Sequence, residues 1–148
     1  MAPFVHTIEI DRSPADVFAY IDDLARHDEW QPSIVSTNVL TEGPTRVGTK
    51  VSEKRKVGGG VREIGYEIVE HDPPRRSGFR GTNGPIRPVG TVEVEPLDGG
   101  TRSRLKLTFE FETHGVSGKL FGGMALKQAV KEIPGGHEKL KAILEGRA

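Results

Sequence analysis

The sequence contains no cysteine, which excludes disulfide bonds, thiol nucleophiles and thiolate metal sites. Its 21 lysines and arginines balance its 21 aspartates and glutamates, so it lacks the basic excess by which proteins usually bind nucleic acids. No apolar run approaches the roughly 18 residues of a membrane-spanning helix. We therefore expect a protein that neither binds nucleic acid nor inserts into a membrane.

The chain also lacks features that would divide it into several domains or target it for secretion. No linker, internal repeat or low-complexity segment interrupts its 148 residues, which predicts a single domain over 1–148. Its first residues show no basic segment followed by an apolar run, so we expect no signal peptide. Together with the absence of cysteine, this fits a cytoplasmic protein.

The N-terminal segment has a clear strand and a clear helix start. Ile8 and Ile10 alternate with polar residues, as in a half-buried strand. Ser13 is a good N-cap, Pro14 suits the first helical position, and Asp16 stands where a carboxylate favours the helix dipole. A helix should therefore begin here, with a second short helical turn over 23–27.

In the rest of the chain, the spacing of apolar residues changes from every second residue, as in strands, to every third or fourth residue, as in a helix. From residue 34 onward, alternation between glycine- and proline-rich turns predicts six more strands. They are expected near 34–42, 49–57, 60–71, 75–81, 86–96 and 100–113. Apolar residues at three-to-four spacing then predict a helix over about 118–145, which Pro134 should kink or briefly break. Whether Gly122-Gly123 belongs to this helix is left open.

Charge pairing predicts the register of two hairpins. Two-residue turns at Gly58-Gly59 and Asp98-Gly99 would each give one face of paired charges and one apolar face. The expected pairs are Lys54–Glu63, Lys50–Glu67, Glu95–Arg102 and Glu93–Arg104. Such hairpins form an antiparallel sheet that is covered on one side only. The C-terminal helix is the remaining cover, and Phe109, Phe111, Ile68 and Val92 should face it.

Several short motifs together carry a family resemblance. They are Ser13-Pro14 with Val17-Phe18, Glu29-Trp30 with Pro32, Gly100-Thr101, and Leu140-Lys141 with Leu144-Glu145. With these motifs the sequence resembles the polyketide cyclase/dehydrase branch of the SRPBCC (START-like, helix-grip) superfamily. The resemblance implies an α+β fold in which a seven-stranded curved antiparallel sheet wraps a long C-terminal helix, with two short helices after the first strand. It also implies an internal cavity.

Other features that could indicate chemistry have simpler interpretations. The five histidines show no metal-ligand spacing, so we expect no metal and no cofactor. Ser117 lies between glycines, but the spacing is wrong for a nucleophile elbow, and we interpret it as a helix cap. Arg102, Arg104 and Lys106 face Glu93 and Glu95 and are interpreted as a neutralised solvent face rather than a polyanion site.

Three polar residues share parity with the apolar face. Glu53 and Arg55 share a face with Val51, and Tyr66 lies between Ile64 and Ile68. Buried polar groups require partners, water or a ligand. Two interpretations stay open for the first two residues: polar groups in a ligand pocket, or a pair at a strand end that bond to each other or to Arg62. For Trp30, packing as a structural plug is favoured over direct ligand contact.

These residues define a predicted site in the cavity. The expected ligand-binding residues are Glu53, Arg55, Tyr66, Ile68, Val92, Leu107, Phe109, Leu126 and Val130, with Ile133 beside the last two. Tyr66, Glu53 and Arg55 are also the candidates for proton transfer if the protein is an enzyme.

We predict that the protein binds a hydrophobic small molecule: a lipid, a polyketide or an aromatic metabolite. The alternative is an aromatase/cyclase-type enzyme, as the resemblance implies, which would fold a poly-ketone chain in the same cavity and assist its cyclisation by acid/base chemistry. A pure protein-interaction module is disfavoured because the outer strands carry paired charges. The oligomeric state is left open between monomer and homodimer.

Overall fold

A computed structural model of the chain describes residues 3–57 and 59–146. Its strands and helices are, in chain order, β1 (Phe4–Ile10), α1 (Pro14–Asp22), a 3₁₀ helix (Leu24–Glu29), β2 (Ile34–Val39), β3 (Lys50–Val57), β4 (Gly60–Asp72), β5 (Arg76–Gly81), β6 (Ile86–Leu97), β7 (Arg102–Thr113) and α2 (Gly115–Leu144).

The seven strands form one antiparallel sheet in the order β1-β7-β6-β5-β4-β3-β2. Helix α2 contacts β1, β6 and β7, while α1 contacts β6 and β7. The fold is therefore the expected curved sheet around a long C-terminal helix. Among the helices of the described part of the chain, none is long and apolar enough to cross a membrane.

The start of α1 follows the predicted capping pattern. The Ser13 side chain accepts a hydrogen bond from the Asp16 backbone amide at 3.3 Å, and Pro14 occupies the first turn. Phe18 and Ile21 on the inner side of this helix are buried. The cap thus fixes where α1 begins and turns its apolar stripe toward the sheet.

The β3–β4 hairpin has the register that charge pairing predicted. Lys54 lies opposite Glu63, and Lys50 lies opposite Glu67. Of the two predicted turn residues, Gly58 lies outside the described residues. The register places Glu53 and Tyr66 on the inner face of neighbouring strands.

The predicted β6–β7 register is wrong by two residues. Glu95 lies opposite Arg104, and Glu93 lies opposite Lys106. The cause is a longer loop, in which Asp98–Gly100 forms a 3₁₀ turn with left-handed backbone at Asp98 (φ 51°). A shift of two residues preserves side-chain parity, so the charged face stays outside. Arg104 there bonds Glu95 at 3.4 Å.

Helix α2 is longer and more regular than the sequence indicated. It begins at Gly115, so Ser117 lies inside its first turn and does not cap it. Of the predicted kink or brief break at Pro134, the break is absent, because the helix continues through this residue. Gly122 and Gly123 both belong to it, but a Cβ on Gly122 would lie 2.7 Å from Thr113 Cγ2, whereas one on Gly123 would meet open space. A glycine at 122 therefore lets the helix approach β7 closely.

Two apolar clusters form the core. One joins α1, Trp30 and the inner faces of β6 and β7 to Leu140 and Leu144 near the end of α2. The smaller one comprises Leu24, Val51, Tyr66 and Ile68. Members of both clusters also line an internal cavity.

Candidate functional site

A cavity of about 220 Å³ lies between the concave face of the sheet and α2. Its lining is predominantly apolar. The sheet contributes, among others, Ile64, Ile68, Phe79, Val92, Leu105, Leu107, Phe109 and Phe111. The side of α2 contributes Ala125, Gln128, Ala129, Glu132 and Ile133, and the end near α1 contributes Phe18, Ile21, Leu24, His27 and Trp30.

Most residues of the predicted site lie on this wall. They are Glu53, Arg55, Tyr66, Ile68, Val92, Leu107 and Phe109, together with Ile133. Parity within the strands was the signal that located them, since residues at alternate positions face the same side of a sheet. Trp30, which was favoured as a structural plug, is both buried in the core and part of the cavity lining.

The predicted contribution of α2 is wrong for two residues. Leu126 and Val130 do not line the cavity, and Val130 is 36% exposed. Steps of three and four residues back from buried Leu140 lead through Ile133 to Ala129 and Ala125, which set the inner face of the helix. An apolar pattern favours the larger side chains Leu126 and Val130, whereas it is the alanines that line the cavity.

One end of the cavity holds a group of bonded polar side chains. Arg55 Nε donates to Glu53 Oε1 at 2.5 Å, and Arg55 Nη1 donates to Ser33 Oγ at 2.9 Å. Arg55 Nη2 donates to Gln31 Oε1. Glu53 and Arg55 therefore pair with each other, as one of the two interpretations expected, and both also line the cavity.

Other polar atoms of the lining have no partner within the described residues. They are Glu53 Oε2, Tyr66 Oη and Trp30 Nε1, on side chains from residues that are only 4%, 7% and 7% exposed. Thr37 Oγ1 is also unpartnered, but Thr37 does not line the cavity. A buried polar group without a hydrogen bond costs on the order of 1–3 kcal/mol. Three polar atoms of the cavity wall thus lack a hydrogen bond from the described residues.

Tyr66 is held in its protonated form. Burial raises the pKa of its phenol, and the negative charge of Glu53 raises it further, while Arg55 acts in the opposite direction. At neutral pH the hydroxyl can therefore donate a proton in a hydrogen bond but does not act as a base.

His27 is a neutral imidazole at the α1 end of the cavity. Its Nε2 donates to the Ile21 carbonyl at 2.6 Å, which leaves Nδ1 as an acceptor for Gln31 Nε2 at 3.4 Å. Burial lowers the pKa of His27 below its usual range. The Nε2 hydrogen bond ties the 3₁₀ helix to α1, so His27 contributes an uncharged polar surface to the cavity.

His6 and His137 form a second histidine contact beside the cavity. Their Nδ1 atoms lie 2.8 Å apart, which requires one ring to donate and the other to accept. Burial and the neighbouring His6 lower the pKa of His137 to about 4. His137 lines the cavity and packs its ring near Trp30, at 6.0 Å between centroids.

The prediction missed Gln31, Ser33, His27 and His137. The first two lie after the 3₁₀ helix, in a segment without strand or helix periodicity, so the sequence offered no signal for them. His137 does have one, since it lies on the same helical stripe as Leu140. His6 shares the parity of Ile8 in β1 and contacts His137 from the sheet.

Comparisons with known proteins agree with this architecture. A family model described as "Polyketide cyclase / dehydrase and lipid transport" matches residues 1–145. No curated protein matches the sequence significantly.

Several solved structures share the fold at low sequence identity. The Zhui aromatase/cyclase from a Streptomyces species is 17% identical, with 98% of this chain and 94% of that chain covered and a TM-score of 0.84. A START superfamily protein from Mycobacterium smegmatis is 14% identical, with both chains covered completely and a TM-score of 0.74. A conserved protein from Geobacillus kaustophilus is 17% identical over 96% of this chain and 94% of that chain, with a TM-score of 0.72. At these identities the likeness establishes the fold.

Proposed function

This chain belongs to the polyketide cyclase/dehydrase and lipid transport family, and we propose that it binds a hydrophobic small molecule in the cavity between its sheet and α2. The proposed contacts are the apolar wall of Ile68, Val92, Leu107 and Phe109, with polar groups at the Glu53 and Tyr66 end. A mostly apolar pocket with a few convergent polar groups is the usual form of a small-molecule site.

The observation that carries this proposal is the set of unpartnered polar atoms in the lining. Glu53, Tyr66 and Trp30 each lie more than nine-tenths buried, and each has one polar atom without a hydrogen-bond partner in the described residues. A wall evolved only for packing would lose stability by keeping these groups, whereas a bound ligand with a polar end can satisfy them.

The size of the cavity bounds the ligand. A cavity of about 150 Å³ is known to accept benzene, and this one, at about 220 Å³, is larger. A bicyclic aromatic compound or a short acyl chain is therefore of suitable size without rearrangement of the walls. The aromatic rings of Phe79 and Phe109, whose centroids are 6.3 Å apart, favour a flat aromatic ligand.

Native mass spectrometry of freshly purified protein tests the proposal. We expect a fraction of the protein to carry a noncovalent ligand of low mass. The substitution Ala129→Phe would place a ring into the cavity and should reduce that fraction. Val130→Phe on the exposed side of the same helix is the matched control and should leave it unchanged. Equal ligand occupancy in both variants would contradict binding at this site.

A second candidate function is aromatase/cyclase-type catalysis in the same cavity. The observation favouring it is the protonated Tyr66 hydroxyl on the same inner face as the Glu53 carboxylate, since a positioned acid and a positioned base are what an aldol cyclisation needs. In an enzyme, Tyr66→Phe should reduce turnover of a poly-ketone substrate more than its affinity. In a binding protein the same change should reduce affinity alone.

A further inference from the structure

We propose that the polar end of this cavity selects ligands with a neutral hydroxyl group, an alcohol or a phenol, over ligands with a carboxylate or another anion. The inference rests on the proposed ligand-binding function and specifies the chemical class of the ligand. It follows from the donors and acceptors that the lining leaves open and from the charges that surround them.

The unpartnered polar atoms of the lining are best satisfied by a ligand group that both donates and accepts hydrogen bonds. Glu53 Oε2 is an acceptor, Trp30 Nε1 is a donor, and Tyr66 Oη can serve as either. Because Glu53 pairs with Ile64 in the β3–β4 register, Tyr66 is its diagonal neighbour on the same face. A ligand hydroxyl beside these two residues can donate a hydrogen bond to Glu53 Oε2 and accept one from Tyr66 Oη.

A carboxylate cannot make the same set of contacts. When ionised it offers acceptors only, so Glu53 Oε2 would remain without a donor. It would also bring a second negative charge beside a carboxylate that is 96% buried, where repulsion is weakly screened. Burying both charges without compensation is unfavourable, so an anionic ligand should bind more weakly than its neutral alcohol analogue.

The cations around the cavity do not offset this repulsion. The Arg55 guanidinium already pairs with Glu53, and its other two nitrogens donate to Ser33 and Gln31. Lys56 is exposed. The two histidines of the lining, His27 and His137, have lowered pKa values and are uncharged at neutral pH.

The remaining charged groups of the lining are acidic. Asp22 bonds His71 at 3.0 Å, and Glu132 accepts from Gln128 at 3.3 Å. Together with Glu53 they give three carboxylates against one guanidinium and one exposed ammonium. The charge of the wall therefore disfavours an anion.

Calorimetric titration of the wild-type protein at neutral pH with three matched compounds tests the inference. The compounds are 2-naphthol, 2-naphthoate and naphthalene, which share a ring system and differ in the polar group. We expect 2-naphthol to bind at least tenfold more tightly than 2-naphthoate and more tightly than naphthalene. If naphthoate binds as tightly as naphthol, or naphthol no better than naphthalene, the inference is wrong while ligand binding itself stands. If none of the three binds, the proposed function fails as well.

A pair of isosteric substitutions tests whether Glu53 is the source of this selectivity. Glu53→Gln removes the buried charge and leaves Arg55 uncompensated, so we expect the affinity for 2-naphthoate to rise and the preference for naphthol to fall at least tenfold. Glu63→Gln makes the same change of charge at an exposed position of β4 and should leave the preference intact. An unchanged preference in folded Glu53→Gln protein would overturn the inference. If that variant does not fold, the wild-type series decides alone.

Discussion

At the scale of single residues, the cavity combines satisfied and unsatisfied polar groups. Arg55 uses each of its nitrogens to bond Glu53, Ser33 and Gln31, which fixes the carboxylate in place. The second oxygen of that carboxylate and the Tyr66 hydroxyl have no partner in the described part of the chain. Fixed polar groups with open hydrogen-bond capacity are what orients a ligand, and they cost stability while the ligand is absent.

The two tyrosines of the chain allow this cost to be measured. Tyr66→Phe removes an unpartnered buried hydroxyl, so the free energy of unfolding should stay unchanged or rise by up to about 1 kcal/mol. Affinity for a hydroxyl-bearing ligand should fall about tenfold, since roughly 1.4 kcal/mol of interaction is lost. Urea unfolding and ligand titration measure the two effects.

Tyr20→Phe is the matched control. The Tyr20 hydroxyl donates to Glu29 at 2.7 Å and lies outside the cavity, so its loss should lower stability by about 1 kcal/mol and leave binding unchanged. A Tyr66→Phe variant that loses stability like Tyr20→Phe and keeps full affinity would show that Tyr66 has only a packing role.

The buried His137 predicts a dependence of stability on pH. Its pKa is about 4 in the folded protein against 6.5 for an ordinary histidine, because it is buried and lies beside His6. Below pH 6.5 the unfolded chain binds a proton that the folded one does not, so stability is present in full above pH 6.5 and is lost as the pH falls toward 4. The loss from this group is at most about 3 kcal/mol.

Thermal unfolding from pH 7 to pH 4.5 checks this expectation. The melting temperature of the wild-type protein should fall more steeply than that of His137→Phe, which has no proton to take up at this position. His114→Gln, at the exposed start of α2, should follow the wild-type curve. Parallel curves for all three proteins would mean that His137 is not the responsible group.

At this scale the sequence located part of the polar wall. Alternation in β3 and β4 identified Glu53, Arg55 and Tyr66 as inward residues, because strand parity is a strict geometric rule. Gln31 and Ser33 were not found, since they belong to a connecting segment in which no period relates position to direction. Their roles depend on contact with Arg55, 24 and 22 residues away along the chain.

At the scale of elements, the close contact between α2 and β7 depends on which of two adjacent glycines faces the sheet. Gly122 is buried against Thr113, and Gly123 faces open space. The same helix presents Ala125 and Ala129 to the cavity, so small residues along one side keep the helix near the sheet while leaving a void.

Substitution of the two glycines by alanine should have opposite effects. Gly123→Ala should raise the free energy of unfolding by up to about 1 kcal/mol, because alanine is the better helix former. Gly122→Ala should lower it, since the new Cβ would lie 2.7 Å from Thr113 Cγ2 and either that side chain or the helix would have to shift. Chemical denaturation of both variants is the measurement. Equal effects of the two changes would contradict the placement of α2.

The helices and strands themselves were largely predictable. Their ends, the strand register and the inward face of α2 were less so. The cap at Ser13 and the β3–β4 register, which the charge pattern predicted, depend on local signals, and both predictions were confirmed. The β6–β7 register was wrong because a glycine-rich loop can close in more than one way, and charge pairing alone tolerates a shift of two residues. The cavity face of α2 was misassigned because alanines carry little weight in an apolar pattern.

At the scale of the whole molecule, a helix-grip fold holds a void where many domains hold a packed centre. The cavity borders both apolar clusters of the core. Periodicity could predict which faces are apolar, and the family resemblance implied a cavity between them. The volume of that cavity could not be predicted, because it depends on the distance at which α2 is held from the sheet.

The central claim is that this cavity is a ligand site, and calorimetric titration with 2-naphthol tests it most directly. The wild-type protein and Val130→Phe should bind with one-to-one stoichiometry and a negative heat-capacity change, as expected when apolar surface is buried. Ala129→Phe, which fills the cavity from α2, should remain folded and lose this binding. Saturable binding that persists undiminished in Ala129→Phe, or no binding to the wild-type protein, would contradict the account.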